Sequence, residues 1–179
     1  MKDHLLGVAR ERPPLVLEVG IDRGVSLVPL VAFLARVSPA FAVVGVDVRL
    51  QEQVVLMLRH LDLMPDQRVA CIEGNSLEVL PKLVSGGMQF DVVLLDGDHN
   101  YHTVSREMAC LEGLTRPGSI VVCDDYDGRW SEEDLWYAER DGYQEVVHAT
   151  PRQETPLHGA PPAVDEWPAA HPRRPKANP

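Results

Sequence analysis

Five short runs along the chain are almost wholly apolar: residues 15–20 (LVLEVG), 42–48 (AVVGVDV), 69–73 (VACIE), 90–96 (FDVVLLD) and 119–123 (SIVVC). They are rich in Val, Leu and Ile with little polar alternation, a pattern that predicts strands buried on both faces. Between them lie longer stretches with apolar positions at helical spacing, over residues 24–37, 51–63, 76–84 and 101–114. Pro39, Pro65, Gly86-Gly87 and Pro117-Gly118 punctuate the ends of these four. Strand and helix alternate, which predicts right-handed crossovers and a doubly wound α/β domain, a parallel sheet with helices on both faces. Ligands of such sheets bind outside the carboxyl ends of the strands. The residues that follow each strand therefore carry the chemical interest.

Past residue 150 the alternation stops. Eight of the fifteen prolines fall in 151–179, and we expect a loosely ordered tail there behind a domain spanning 1–150. Tyr143–Val147 reads as a short strand. A length of 179 residues, 45% of them hydrophobic, suits one domain with a sizeable core. The net charge of -10 argues against a nucleic acid or an anionic membrane as partner and favours a small molecule. Cys71, Cys110 and Cys123 form no close pair and read as small core residues. The chain shows neither an uninterrupted apolar run of membrane-spanning length nor a signal-peptide core, so the cytoplasm is the expected compartment.

The strand ends are chemically distinctive. The first runs into Glu18-Val-Gly20-Ile-Asp-Arg-Gly24-Val-Ser26. Its glycines allow either a plain turn or close approach to a ligand. Asp22 stands where a dinucleotide-binding loop has its second glycine, and a carboxylate there repels a pyrophosphate, so a ligand without phosphates is favoured. Asp47, closing the second strand, suits ribose hydroxyls or a helix cap. After the third strand, Asn75 offers an amide to an adenine edge, while Ser76 suits helix capping. The fourth and fifth strands empty into LLDGDHNY and DDY. Neighbouring strands lie about 5 Å apart, so Asp96, Asp98, Asp124 and Asp125 crowd together; such acids raise one another's pKa or hold a hard cation such as Mg²⁺ or Ca²⁺. His99 and His102 have no third ligand for zinc and read as surface histidines.

In that order and spacing, E-x-G-x-x-x-G-x-S, an acid closing the second strand, G-N-S, LLDGDH and PGSIVVCDDY resemble the class I S-adenosylmethionine-dependent methyltransferases. More narrowly they are similar to a small-molecule O-methyltransferase-like group with a D-G-D-H-x-Y segment and a D-D-Y strand end. The similarity runs over residues 15–127 and, more loosely, 158–167 (HGAPPAVDEW). It implies a Rossmann-like sheet of strand order 3-2-1-4-5. It also implies S-adenosylmethionine as cofactor, its methionine part around Glu18, Gly20, Gly24 and Ser26, its ribose on Asp47, its adenine near Asn75 and Ser76, and its sulfonium near Asp96. The family more often has Asp where this chain has Asn75. Metal-dependent relatives hold a divalent cation with acids matching Asp96, Asp124 and Asp125. In the sugar O-methyltransferases the second acid of D-G-D is assigned the proton-abstracting role, which falls on Asp98; His99 competes for it, since imidazole titrates near neutrality.

The chain also departs from that pattern. The usual C-terminal antiparallel strands are expected to be missing or reduced, leaving an edge that a second copy can cover in a homo-oligomer. Loop 127–142 is the candidate lid, and Tyr126, Trp130, Trp136 and Tyr137 either line an acceptor pocket or pack the sheet edge. The expected function is O-methylation of a small molecule, with or without a divalent metal. The alternative is a catalytically inactive S-adenosylmethionine-binding regulatory or partner subunit. A nicotinamide oxidoreductase is disfavoured by Asp22 and by the lack of a Tyr-x-x-x-Lys pair.

Overall fold

The computed structural model describes residues 1–127 and 131–170. Five strands, β1 (Leu15–Val19), β2 (Phe41–Asp47), β3 (Gln67–Glu73), β4 (Phe90–Leu95) and β5 (Thr115–Cys123), form one sheet. Its order is β3-β2-β1-β4-β5, and every pairing is parallel. The crossover helices are α2 (Leu27–Val37), α3 (Glu52–Arg59), α4 (Ser76–Ser85) and α5 (Tyr101–Leu114). This is the doubly wound Rossmann-like architecture that the alternation of apolar runs predicts, in the expected order.

Side chains of successive strand residues point to opposite faces, and each face has its own core. On one, Leu17, Val19, Val44, Val46, Val93 and Leu95 pack with Leu80 of α4 and Val104, Met108 and Leu111 of α5. On the other, Val16, Val43 and Val92 pack with Leu27, Leu30, Val31 and Leu34 of α2. The inner strands β1, β2 and β4 are buried almost throughout, whereas the edge strands β3 and β5 are half exposed. A register shift between Phe90 and Val92 accommodates Pro117-Gly118 inside β5, so this pair marks a bulge on an edge strand, and the helix ends earlier, at Leu114.

One element is additional, and two expectations need correction. An N-terminal helix, α1 (Lys2–Glu11), precedes the sheet and buries Leu5 among the α2-side residues; its short apolar face gives little periodicity to read. Tyr143–Val147 forms turns, not a strand. Loose order also fails to describe the chain after residue 150: Pro161–Ala170 is a helix, α6, that seats Ala160 and Ala163 in the α5-side core. Prolines at its start cost nothing there, because the first helical N–H groups have no intrahelical partner. Residues 171–179 lie outside the described residues. Among the described residues, no strand follows β5, and no helix is long and apolar enough to cross a membrane.

Candidate functional site

Each parallel rung continues one residue past the strand. Gly20 donates its N–H to Val46 (2.9 Å), Gly74 to Asp47 (2.8 Å), Asp96 to Val19 (2.8 Å) and Asp124 to Leu95 (2.9 Å). These bonds line up Gly20, Gly74, Asp96 and Asp124 along the carboxyl edge, around the switch point where β1 parts its two neighbours. Gly20 has φ 88°, and a Cβ there would lie 1.9 Å from the Asp96 carbonyl oxygen, so only glycine fits. A cleft opens along this edge, lined among others by Gly20, Asp47, Ser76, Asp96, Asp98 and Glu107.

Asp47 lines the cleft while bracing the glycine loop: one carboxylate oxygen accepts from the N–H groups of Ile21 (2.6 Å) and Asp22 (2.9 Å), the other from Arg49 (2.9 Å). Glu18, fully buried in β1, accepts from the Ser26 hydroxyl with one oxygen and leaves the other without a partner. Burial pushes its pKa up to about 7, partly offset by Ser26. Gly24, with φ 74°, turns the chain against Val28 and Val54. Glu18, Gly24 and Ser26 thus build the loop, while Gly20 reaches the cleft.

Asn75 is held by three hydrogen bonds. Its oxygen caps α4 by accepting from the Leu77 N–H (2.8 Å), and its amide nitrogen donates to the His148 carbonyl (2.9 Å) and the Thr150 hydroxyl (3.1 Å). Both ends of the amide are spent on architecture. Ser76, the neighbour expected to cap, lines the cleft instead.

At the ends of β4 and β5 the acids do come together. Burial and the neighbouring carboxylate of Asp124, close enough to share a proton, push the Asp96 pKa up to about 7. Asp125, held at φ 53°, turns the other way and places a carboxylate oxygen 3.2 Å from Nδ1 of His99. Nε2 of the same ring faces Asp96 at 3.9 Å. His99 is no surface histidine: its backbone bridges to Leu135 and its side chain is only 7% exposed. Burial lowers its pKa, and Asp125 and Asp124 pull it partly back. The oxygen donors suit a hard cation, but Asp96 and Asp124 form a pair with Asp125 turned away. Among the described residues, no group of three or more His, Cys, Asp or Glu is arranged to hold a metal ion.

Asp98 points into the cleft and accepts from the Tyr137 N–H (3.0 Å) and the Thr103 hydroxyl (3.4 Å). Burial raises its pKa to about 6 against these bonds. The cap of α5 is Asn100, which accepts from the Thr103 N–H. The segment after residue 134 closes over the strand ends: Trp136 is buried beside His102, and Tyr137 and Tyr143 line the cleft with ring centroids 5.1 Å apart. Tyr126 instead reaches α6 through Asp165 (3.0 Å), and Trp130 lies outside the described residues. The enclosed space is about 60 Å³, well below the roughly 300 Å³ at which ligand pockets begin.

Sequence reasoning missed Glu107, Tyr143 and Thr150 as cleft residues. Glu107 had a readable signal, because it sits on the apolar stripe of α5 with Val104, Met108, Leu111 and Leu114. Tyr143 and Thr150 reach the cleft through a loop whose path no periodicity reveals.

Comparison with known proteins adds a family. The profile of a family described as a methyltransferase domain matches residues 17–126, more than half of the chain. No curated protein sequence matches. Among solved structures, MycE methyltransferase from the mycinamycin biosynthetic pathway, in complex with Mg, SAH and mycinamycin VI, is 23% identical with a TM-score of 0.50, over 69% of this chain and 32% of that one. CalS11, a TDP-rhamnose 3'-O-methyltransferase of calicheamicin biosynthesis, is 18% identical with a TM-score of 0.57, over 88% of this chain and 75% of that one. PaMTH1, a methyltransferase of Podospora anserina with SAH bound, is 15% identical with a TM-score of 0.51, over 98% and 69%. These likenesses are of fold, and the chain spans about a third of the length of MycE.

Proposed function

The chain belongs to the methyltransferase-domain family, and from that premise we propose that it methylates a hydroxyl oxygen of a small molecule at the expense of S-adenosylmethionine, with His99 as general base. The observation that carries the catalytic part is the imidazole held between two acids, Nδ1 on Asp125 at 3.2 Å and Nε2 toward Asp96 at 3.9 Å. S-adenosylmethionine supplies an electrophilic methyl group on a positively charged sulfur. The chain's own task is alignment and removal of the acceptor proton. With an Asp125 oxygen 3.2 Å from Nδ1, a proton on that nitrogen would leave Nε2, beside the cleft residue Asp96, to take the acceptor's proton. Asp98, tied to the Tyr137 N–H and the Thr103 hydroxyl, is better placed to hold the closing segment than to move a proton.

Gly20 and the backbone around it, Asp47 and Ser76 line the region that would take the nucleoside, and the acids around Asp96 favour a cationic sulfur. That CalS11 is a TDP-rhamnose 3'-O-methyltransferase supports a polyhydroxylated acceptor. One observation favours a second reading. The Asp96–Asp124 pair either shares a proton or holds a divalent cation, as the Mg in the MycE complex suggests, with Asp125 rotating away from His99 to complete the set. Such a cation would hold the acceptor hydroxyl and lower its pKa.

Calorimetry with S-adenosylmethionine and S-adenosylhomocysteine, followed by turnover against a panel of hydroxylated acceptors, tests the proposal. Binding of neither compound refutes it. Turnover that survives EDTA removes the cation and leaves His99 as base; turnover lost to EDTA and restored by Mg²⁺ establishes the second reading.

A further inference from the structure

We propose that Glu107 is the residue that recognises the adenine edge of the cofactor, a specificity-determining contact that rests on the methyltransferase reading above. Glu107 stands two turns into α5, is 1% exposed, and lines the cleft with Ser76, Gly97, Asp98 and Thr103. Neither carboxyl oxygen makes a hydrogen bond of good geometry. Its Oε1 lies directly under Gly97, within 3.9 Å of where a Cβ would stand. A buried polar group without a partner costs about 1–3 kcal/mol. A carboxyl kept at the wall of an open cleft is therefore expected to meet a partner that arrives from the cleft.

Two further observations identify that partner's chemistry. Asn75, the residue whose amide suits an adenine edge, has both ends committed to Leu77, His148 and Thr150, so the nucleoside end of the cleft needs another reader. The charge state of Glu107 supplies one. Burial pushes its pKa up to about 8, against an opposing pull from the Ser76 hydroxyl and with a further push from Asp98. At pH 7 it is a neutral carboxylic acid, offering a carbonyl acceptor and an O–H donor side by side. The adenine edge presents the complement, the 6-amino donor beside a ring-nitrogen acceptor. Two parallel hydrogen bonds follow, with no charge left buried.

Glu18 and Asp96 at the same strand ends titrate near 7, so the comparison with E107Q isolates the part of any pH dependence that belongs to Glu107. Asp98, from the loop after β4, titrates near 6; Cys123 of β5 is pushed up to about 12; and Cys110, on α5 itself, is also raised. Between pH 7 and 9 these last three hold their charge while Glu107 changes its own. Because the neutral form binds, affinity for S-adenosylhomocysteine is expected to fall about tenfold from pH 7 to pH 9.

The experiment measures binding of S-adenosylhomocysteine and of its analogue with hydrogen in place of the 6-amino group, to the full chain and to the E107Q and E107M variants. The unmodified chain should prefer the natural compound by about tenfold, the value of one hydrogen bond. E107Q, whose amide keeps one acceptor and one donor, should retain that preference and lose the pH dependence above 8. E107M should bind both compounds equally. An unmodified chain that binds neither compound sinks the methyltransferase reading itself. If it binds both but E107M keeps the full preference, or E107Q keeps the pH dependence, the assignment of Glu107 is overturned and the methyltransferase reading stands.

Discussion

β4 carries an aspartate near each end, and the two live in opposite electrostatic worlds. Asp91, at the amino end, is 1% exposed and surrounded by donors: the Arg12 guanidinium grips both its oxygens, Leu15 donates its N–H at 2.8 Å, and Arg116 stands 3.4 Å away. Burial opposes its ionisation, but Arg12, Leu15 and Arg116 together outweigh it and hold the carboxyl below its ordinary value. Asp96, one residue past the carboxyl end, faces Asp124, and its pKa is pushed the other way. Glu18, Asp98 and Glu107 share that end, and all three are raised. The nearby cations Arg49 and Arg140 stand over the rings of Tyr143 and Tyr137 instead. Among the described residues, no Lys or Arg pairs with these four acids. One end of the sheet uses acid–base pairing to hold the fold; the other holds acids without counter-charges, which is where function is expected.

Four measurements separate the two ends of the sheet. His99→Ala should lower kcat per folded molecule by about a thousandfold, the range of general-base catalysis; a tenfold loss or less would return the role of base to Asp98. Asp91→Ala should do the reverse. Removing one partner of a buried ion pair leaves Arg12 and Arg116 uncompensated and should cost about 3 kcal/mol of unfolding free energy, with turnover per folded molecule preserved.

The third concerns pH. The folded-state pKa values of Glu18 and Glu107, about 7 and about 8, lie above the ordinary value of 4.5. In that window the folded chain binds more protons than the unfolded one, so stability falls as pH rises from about 4.5 through 8. The urea midpoint should be higher at pH 5 than at pH 8, and Glu107→Gln should flatten the slope. Asp91 works in the opposite sense, since its depressed pKa adds stability that is lost only below the ordinary value of 3.8. A stability curve that rises between pH 5 and 8 would contradict the contrast between the two ends. Smallest is Asp96→Asn. Replacing this acid by an amide should reduce the preference for S-adenosylmethionine over S-adenosylhomocysteine by about threefold, as expected for one partly exposed charge acting on a sulfonium.

Much of the carboxyl end was legible in advance because strand ends in a parallel α/β sheet have a fixed address. Once the apolar runs are assigned, Gly20, Asp47, Ser76, Asp96, Asp98 and Asp124 must fall on one edge, and they do. The amino end was illegible for the same reason: Asp91 interrupts an apolar run with one charge, and its partners Arg12 and Arg116 lie 79 and 25 positions away with no spacing rule to join them. Asn75 shows what the sequence leaves open. Its amide matches an adenine edge on paper, but a helix N-terminus and the 148–150 loop claim it first.

The positions of the five strands, their parallel pairing and the acidic composition of their ends follow from the sequence, because strands buried on two faces and joined by helices leave few other arrangements; their order across the sheet came with the resemblance to the methyltransferases. Which acid faces which group does not follow from the sequence. Asp125 meets His99 through one backbone angle at the end of β5, Glu107 reaches the cleft from the middle of a helix, and the segment after residue 134 folds back to seal both. Those contacts depend on the packing of α5 against the sheet and on the path of a long loop, so only the tertiary structure decides them.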